Sequence, residues 1–265
     1  EKKQFSNPLG NQVMSLPSMV DEQVDYCFSD EVQQNIMTMA EAFDVRKIYI
    51  TGCGDSIAAA GAVAPVVHRL AGVFQCEMVE PMEFTRFMMA GDIGIGEPNS
   101  PLVIGISAGG STSRVVEAMR KANEMGAFTI ALTNNGESAV AKEAKRSFVL
   151  NTPKMQDDFP GLRSYFASMI GLIAIACRMG RVRNVLPPNS EKRLAESLKA
   201  YVHRYAEVLD SMDSEMFQLA GTWKDFERFD FIGDDKELYS ALFAMEKFLE
   251  CTGVMANYDD SENWC

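Results

Sequence analysis

With 265 residues, the chain has room for one large domain or two modest ones. Its 47% hydrophobic and 23% charged residues can build a sizeable core. Lys and Arg number 25 against 37 Asp and Glu, a net charge of −12, which repels a phosphodiester backbone and excludes general nucleic-acid binding. A small phosphorylated ligand is not excluded, because backbone dipoles hold anions on acidic proteins too. Two histidines, His68 and His203, exclude a histidine-rich metal centre, and no metal site is expected. Six cysteines with no C-x-x-C pair, and no leader-like start, fit a reducing cytoplasm. Ser168 to Met179, the most apolar helical stretch, is too short to span a bilayer, so no membrane partner is expected.

In chain order, Asn7, Pro8 and Gly10 break the start. Helices are predicted near Met19–Phe28 and Asp30–Ala42, the second capped by Ser29 or Asp30. Alternation of strands and helices then begins. Lys47–Thr51 reads as a buried strand running into Gly52-Cys-Gly-Asp-Ser56, with an Ala- and Val-rich helix over residues 57–70. Val73–Val79 is a second strand, followed by a short helix from Pro81. Leu102–Ile106 is a third, ending in Ser107-Ala-Gly-Gly-Ser-Thr112. Val115, Ala118, Met119, Ala122 and Met125 recur at helical spacing. Ala127–Leu132 and Ser147–Leu150 are the fourth and fifth strands, with a turn at Asn134-Asn-Gly136. This alternation implies an α/β fold with a five-stranded parallel sheet between helical layers and right-handed crossovers. Such sheets bind ligands at the carboxyl ends of their strands, where both glycine- and serine-rich turns fall.

A buried helix follows over about Leu162–Met179. Beyond Pro187-Pro188 comes a long helix with Ser190 as N-cap and an apolar stripe from Leu194 to Leu209. Phe229–Ile232, Gly233-Asp-Asp235 and a helix carrying Leu238, Leu242, Met245 and Leu249 weakly repeat the opening of the first unit. The expected division is residues 1–220 as one domain with a helical arm and linker helix, and 221–265 as the beginning of a second.

Each turn has a chemical use. In Gly52-x-Gly54-Asp55-Ser56, glycines let a ligand approach the backbone, and the helix start offers free N–H groups and Ser56 a hydroxyl. A dinucleotide loop would carry a third glycine where Ile57 stands. Ser107, Gly109, Gly110, Ser111 and Thr112 gather neutral donors at a second helix start, as a phosphate requires. The same residue types also make tight turns and helix caps, the weaker reading here. Lys247 and Glu250 share a helical face at i, i+3, usually a solvated salt bridge. A positioned carboxylate there can also move a proton beside a carbonyl. His68, His203, Asp157-Asp158 and Asp259-Asp260 read as surface, packing or loop residues, and Arg114, just after the second turn, reads equally as a surface residue or a contact for the anion.

The runs Ile50–Ser56, Ile106–Thr112 and Ala131-Leu-Thr-Asn134, with Glu83-Phe84, resemble the sugar isomerase (SIS) domain family, in particular the isomerase half of glucosamine-6-phosphate synthase. The resemblance implies a flavodoxin-like strand order and a phosphosugar held by Ser56, Ser107 and Thr112. It also implies catalysis by Lys247 and Glu250, with a ring-opening histidine whose position falls just past Cys265. Gly109 stands where that family has a serine, and Ser111 is the substitute. The family's Ser-Thr-Lys stretch is replaced by Gly161-Leu-Arg-Ser-Tyr165, and the synthase's glutaminase domain is not expected here. The expected function is therefore a sugar-phosphate isomerase or an amino-sugar-phosphate deaminase or deglycase, without a cofactor and paired as a homodimer. The alternatives are a phosphosugar sensor, which needs no Glu250, and a dinucleotide enzyme with Glu80 on a ribose.

Overall fold

The computed structural model describes residues 7–94, 101–156 and 159–265; the Asp157-Asp158 pair lies outside them. The arm is more helical than expected. Helix α1 (Pro8–Cys27) starts at Asn7, whose Oδ1 accepts the Gly10 amide at 2.8 Å. Pro8 fills the first helical position, where a missing N–H leaves nothing unsatisfied. The Asn-Pro pair thus launches a helix instead of breaking one. The helix expected over 30–42 is two, α2 (Asp30–Ile36) and α3 (Met39–Asp44). Met37 is extended, and Thr38 opens a capping box with Glu41, its amide donating to Glu41 at 2.7 Å.

Next come β1 (Lys47–Gly52), α4 (Asp55–Ala71), β2 (Gln75–Met78), α5 (Pro81–Arg86), α6 (Ala90–Ile93) and β3 (Pro101–Ile106). They are followed by α7 (Ser113–Glu124), β4 (Phe128–Thr133), α8 (Ala139–Glu143) and β5 (Arg146–Val149). The five strands pair in parallel in the order β2-β1-β3-β4-β5. Alternate side chains face opposite helical layers. Ile48, Ile50, Leu102, Ile104, Ile130 and Leu132 pack under α1, α4 and the later α9, while Tyr49, Val103 and Ala131 pack under α5, α7 and α8. Burying each large aliphatic side chain contributes on the order of 1.5–3 kcal/mol. The chain leaves β1 toward β2 and returns on the other side as β3, so the switch point lies between β1 and β3.

Helix α9 (Arg163–Val182) is longer than expected. With 20 residues and a mean hydropathy of 1.3 it is long and apolar enough to cross a membrane, but 72% of that window is buried here as a core helix. The helix expected over 190–212 divides into α10 (Ser190–Ala206) and α11 (Leu209–Trp223), and Asn189, at φ +63°, takes the cap position expected for Ser190. After α11, β6 (Arg228–Ile232), α12 (Lys236–Thr252) and β7 (Met255–Asp259) form a second parallel pair, followed by α13 (Ser261–Trp264). Strand β7 was not foreseen.

Candidate functional site

The two turns leave neighbouring strands at one edge, because Gly52 at the end of β1 lies in register with Ile106 at the end of β3. A Cβ on Gly52 would stand 2.7 Å from the Ser56 Cβ and 3.3 Å from the Ile106 carbonyl, so only glycine fits between the strands there. Gly54 turns the chain into α4 at φ +54°, ψ −128°, a conformation that glycine alone reaches readily. Asp55 and Ser56 open the helix, and no side chain caps it. Its first turn is closed by backbone instead: the Ser56 amide donates to the Cys53 carbonyl at 3.1 Å and the Ile57 amide to the Gly54 carbonyl at 2.9 Å, so the Ser56 hydroxyl is the donor this turn offers a ligand.

In the second turn, Ser107 is nearly buried, and its Oγ lies 3.0 Å from Thr112 Oγ1 and accepts the Gly110 amide at 3.1 Å. These two hydroxyls brace the loop from inside. Gly110 is required by packing, since it sits at φ +75° with Ser138 Oγ 2.1 Å from any Cβ. Gly109 and Ser111 face outward, and a Cβ on Gly109 would meet nothing within 4 Å. Helix α7 also lacks a side-chain cap, because Thr112 is turned toward Ser107. Arg114 pairs with Glu117 at 3.0 Å, and His203 with Asp21 at 2.9 Å, both on exposed side chains.

Helix α12 lies across α4. Gly61 leaves room for Tyr239, whose ring would come within 2.2 Å of a Cβ there, and Phe243 stacks on Tyr165 of α9 at 3.9 Å. This docking carries Lys247 to the first turn. Its ammonium donates to Asp55 at 2.9 Å and to Glu250 at 2.6 Å, and lies 5.5 Å from the Phe243 ring. The lysine side chain is only 7% exposed, so the pair is not the solvated salt bridge that spacing alone would suggest. Burial opposes the lysine's charge, but the two carboxylates outweigh it and hold the ammonium above the ordinary lysine range. Asp55 is shifted up: burial acts more strongly on it than the pull of Lys247.

Sequence reasoning missed Glu246. Its Oε1 lies 3.9 Å from where a Cβ on Gly54 would stand, while its Oε2 is shut from solvent without a hydrogen-bond partner. Burial, reinforced by the negative charge of Asp55, pushes its carboxyl up to about 7. Glu80, at the start of α5, is raised by burial and by Glu83. Beside the second turn a cleft of about 840 Å³ opens, lined by Ala108, Gly109, Asn134, Lys154, Arg163 and Ser164 among others. Its lining includes neither Ser56 nor any residue of α12. Among the described residues no group of three or more Cys, His, Asp or Glu is arranged to hold a metal ion.

A model of the SIS domain family matches residues 42–176. The isomerizing glutamine–fructose-6-phosphate aminotransferase of Pseudomonas putida is 25% identical over 213 residues, which cover 80% of this chain and 33% of that protein. The chain thus spans about a third of the length of this relative. Among solved structures, the C-terminal domain of glucosamine-fructose-6-phosphate aminotransferase from Francisella tularensis superposes with a TM-score of 0.82 at 17% identity, over 99% of this chain and 72% of that one. Tagatose-6-phosphate ketose/aldose isomerase from Escherichia coli gives 0.72 at 17% identity, over 94% and 66%. These structures share the five-stranded three-layer fold, and the family model matches more than half of the sequence. The chain belongs to the SIS domain family.

Proposed function

We propose that this chain holds a sugar phosphate at its two turns and moves a proton between C1 and C2 of the open-chain sugar, as an isomerase or an amino-sugar-phosphate deaminase or deglycase. One observation carries this reading: α12 docks Lys247 and Glu250 against the first of two neighbouring, uncapped helix starts. The start of α7, whose backbone bonding begins at Val115, supplies amides, and Ser56 and Ser111 supply hydroxyls, as donors suited to a dianion. Glu250 removes the proton from C2 of an aldose and returns it to C1, while the O2 hydroxyl proton passes to O1, giving the ketose; Lys247 offsets the enediolate charge that forms between the two steps. The relatives named for sugar 6-phosphates support the same ligand class. A cytoplasmic homodimer, without nucleic-acid or membrane partners, and residues 221–265 as the opening of a second unit complete the proposal.

A thermal-shift series with hexose 6-phosphates and their unphosphorylated partners tests the ligand class, since a ligand of the native state raises apparent stability by mass action. Stabilisation by the phosphorylated sugars alone is expected; stabilisation by nicotinamide cofactors instead would overturn it. Glu250→Gln separates the enzyme from a sensor. Turnover should fall by about 10²–10⁴-fold while the thermal shift persists.

A further inference from the structure

Carboxylates around Lys247 outnumber the cation available to them. Asp55 from the first turn of α4 and Glu250 from α12 take its hydrogen bonds. Glu246 from α12 lies in the field of Lys247, and Glu80 at the start of α5 adds its charge to that acting on Glu246; among the described residues no salt bridge reaches either glutamate. Negative charge gathered beside a site for a dianion opposes binding, unless the ligand brings a positive charge of its own. The other side of the site has the opposite character: the described lining of the cleft beside the second turn includes Lys154 and Arg163 and no carboxylate. The site is therefore polarised, cationic beside Gly109 and anionic beside Gly54.

We propose that Glu246 selects a sugar phosphate bearing a positively charged nitrogen, with the phosphate over the second turn and the ammonium against the Glu246 carboxylate. The inference rests on the sugar-phosphate reading above and narrows its substrate class to amine-bearing sugars. Gly54 has no side chain to come between such a nitrogen and Glu246 Oε1. Near neutrality Glu246 is partly protonated. On docking, an ammonium displaces that proton to solvent, so the preference for amine over hydroxyl strengthens as pH rises from 6 to 7.5 and Glu246 ionises. Asp55, Glu80 and Glu250 supply the remaining negative field, and Lys247 opposes it.

Titration calorimetry with glucosamine 6-phosphate and glucose 6-phosphate tests this. At pH 7.5 the wild-type chain is expected to bind the amino sugar about 10-fold more tightly, the scale of one charge-assisted hydrogen bond. Glu246→Gln should bring the two affinities within about 2-fold of each other. Equal binding of both ligands by the wild-type chain overturns the inference and leaves the phosphate reading standing. No binding of either overturns both. A preference that survives Glu246→Gln, or one that stays flat from pH 6 to 7.5 in the wild-type chain, overturns the assignment to Glu246; the second readout does not depend on the variant folding.

Discussion

The chain builds the same strand–helix–strand unit twice and equips the two differently. In β1–α4–β2 and β6–α12–β7, residues 181 positions apart repeat the backbone: Gly52 ends β1 and Gly233 follows β6 directly, Gly54 and Asp235 turn into the helix, and Gly72 and Gly253 close it in the left-handed conformation. Gly54 has φ +54°, ψ −128° and Asp235 φ +52°, ψ −124°. The surroundings diverge. Strand β1 is buried from Ile48 to Gly52, whereas β6 alternates between exposed and half-buried residues. Where α12 carries Glu246, Lys247 and Glu250, α4 carries Pro65, Val66 and Arg69. A shared backbone recipe thus supplies the turn proposed to face the ligand in one copy and the side chains proposed for acid–base work in the other, and the docking of α12 on α4 joins them.

Exchanging residues between the copies tests that division. The largest effect is expected from Lys247→Val, which writes the residue of α4 into α12. It leaves Asp55 and Glu250 facing each other without a cation, and breaking a buried pair in this way removes about 3–5 kcal/mol. The partial exposure of Glu250 places the expected loss at about 2–3 kcal/mol, to be read from urea unfolding at pH 7. An unchanged midpoint would show that the pair adds nothing. Gly54→Asp should be next, at about 1–3 kcal/mol of backbone strain. It also sets a further carboxylate beside Asp55 and Glu246, so the thermal shift with sugar phosphates should disappear. The reciprocal Asp235→Gly should be the smallest and opposite in sign. Relief of strain at Asp235 exceeds the added chain entropy of glycine, for a net gain of about 0.5–1 kcal/mol, seen as a higher melting temperature with ligand binding unchanged.

The five strands were legible because a parallel sheet covered on both faces needs unbroken apolar runs such as Leu102–Ile106. Both turns were legible because glycine and hydroxyl residues cluster after a strand for few other reasons. Less was visible where one residue type serves two purposes. Asn7-Pro8 signals a break as readily as a helix start, and only the Gly10 amide on Asn7 decides it. Thr38 and Glu41 spell a capping box, but they sit inside a segment whose periodicity suggests uninterrupted helix. In the candidate site, Lys247 and Glu250 were found by their shared face. Glu246, one residue before Lys247, projects about 100° away around the helix, so its approach to Gly54 depends on how α12 lies on α4. The link from Asp55 to Lys247 spans 192 positions and leaves no local pattern.

Gly61 has a consequence beyond its own packing. It is the gap through which Tyr239 seats α12, and it belongs to neither turn and to none of the charged groups. A side chain there would prise the helix bearing Lys247 and Glu250 away from turns whose own geometry is set by β1 and β3. A single hydrogen atom in place of a methyl group thus keeps the two turns and the α12 charges within reach of each other, and on the proposed reading a descendant that filled that gap would retain the means to hold a ligand and lose the means to change it.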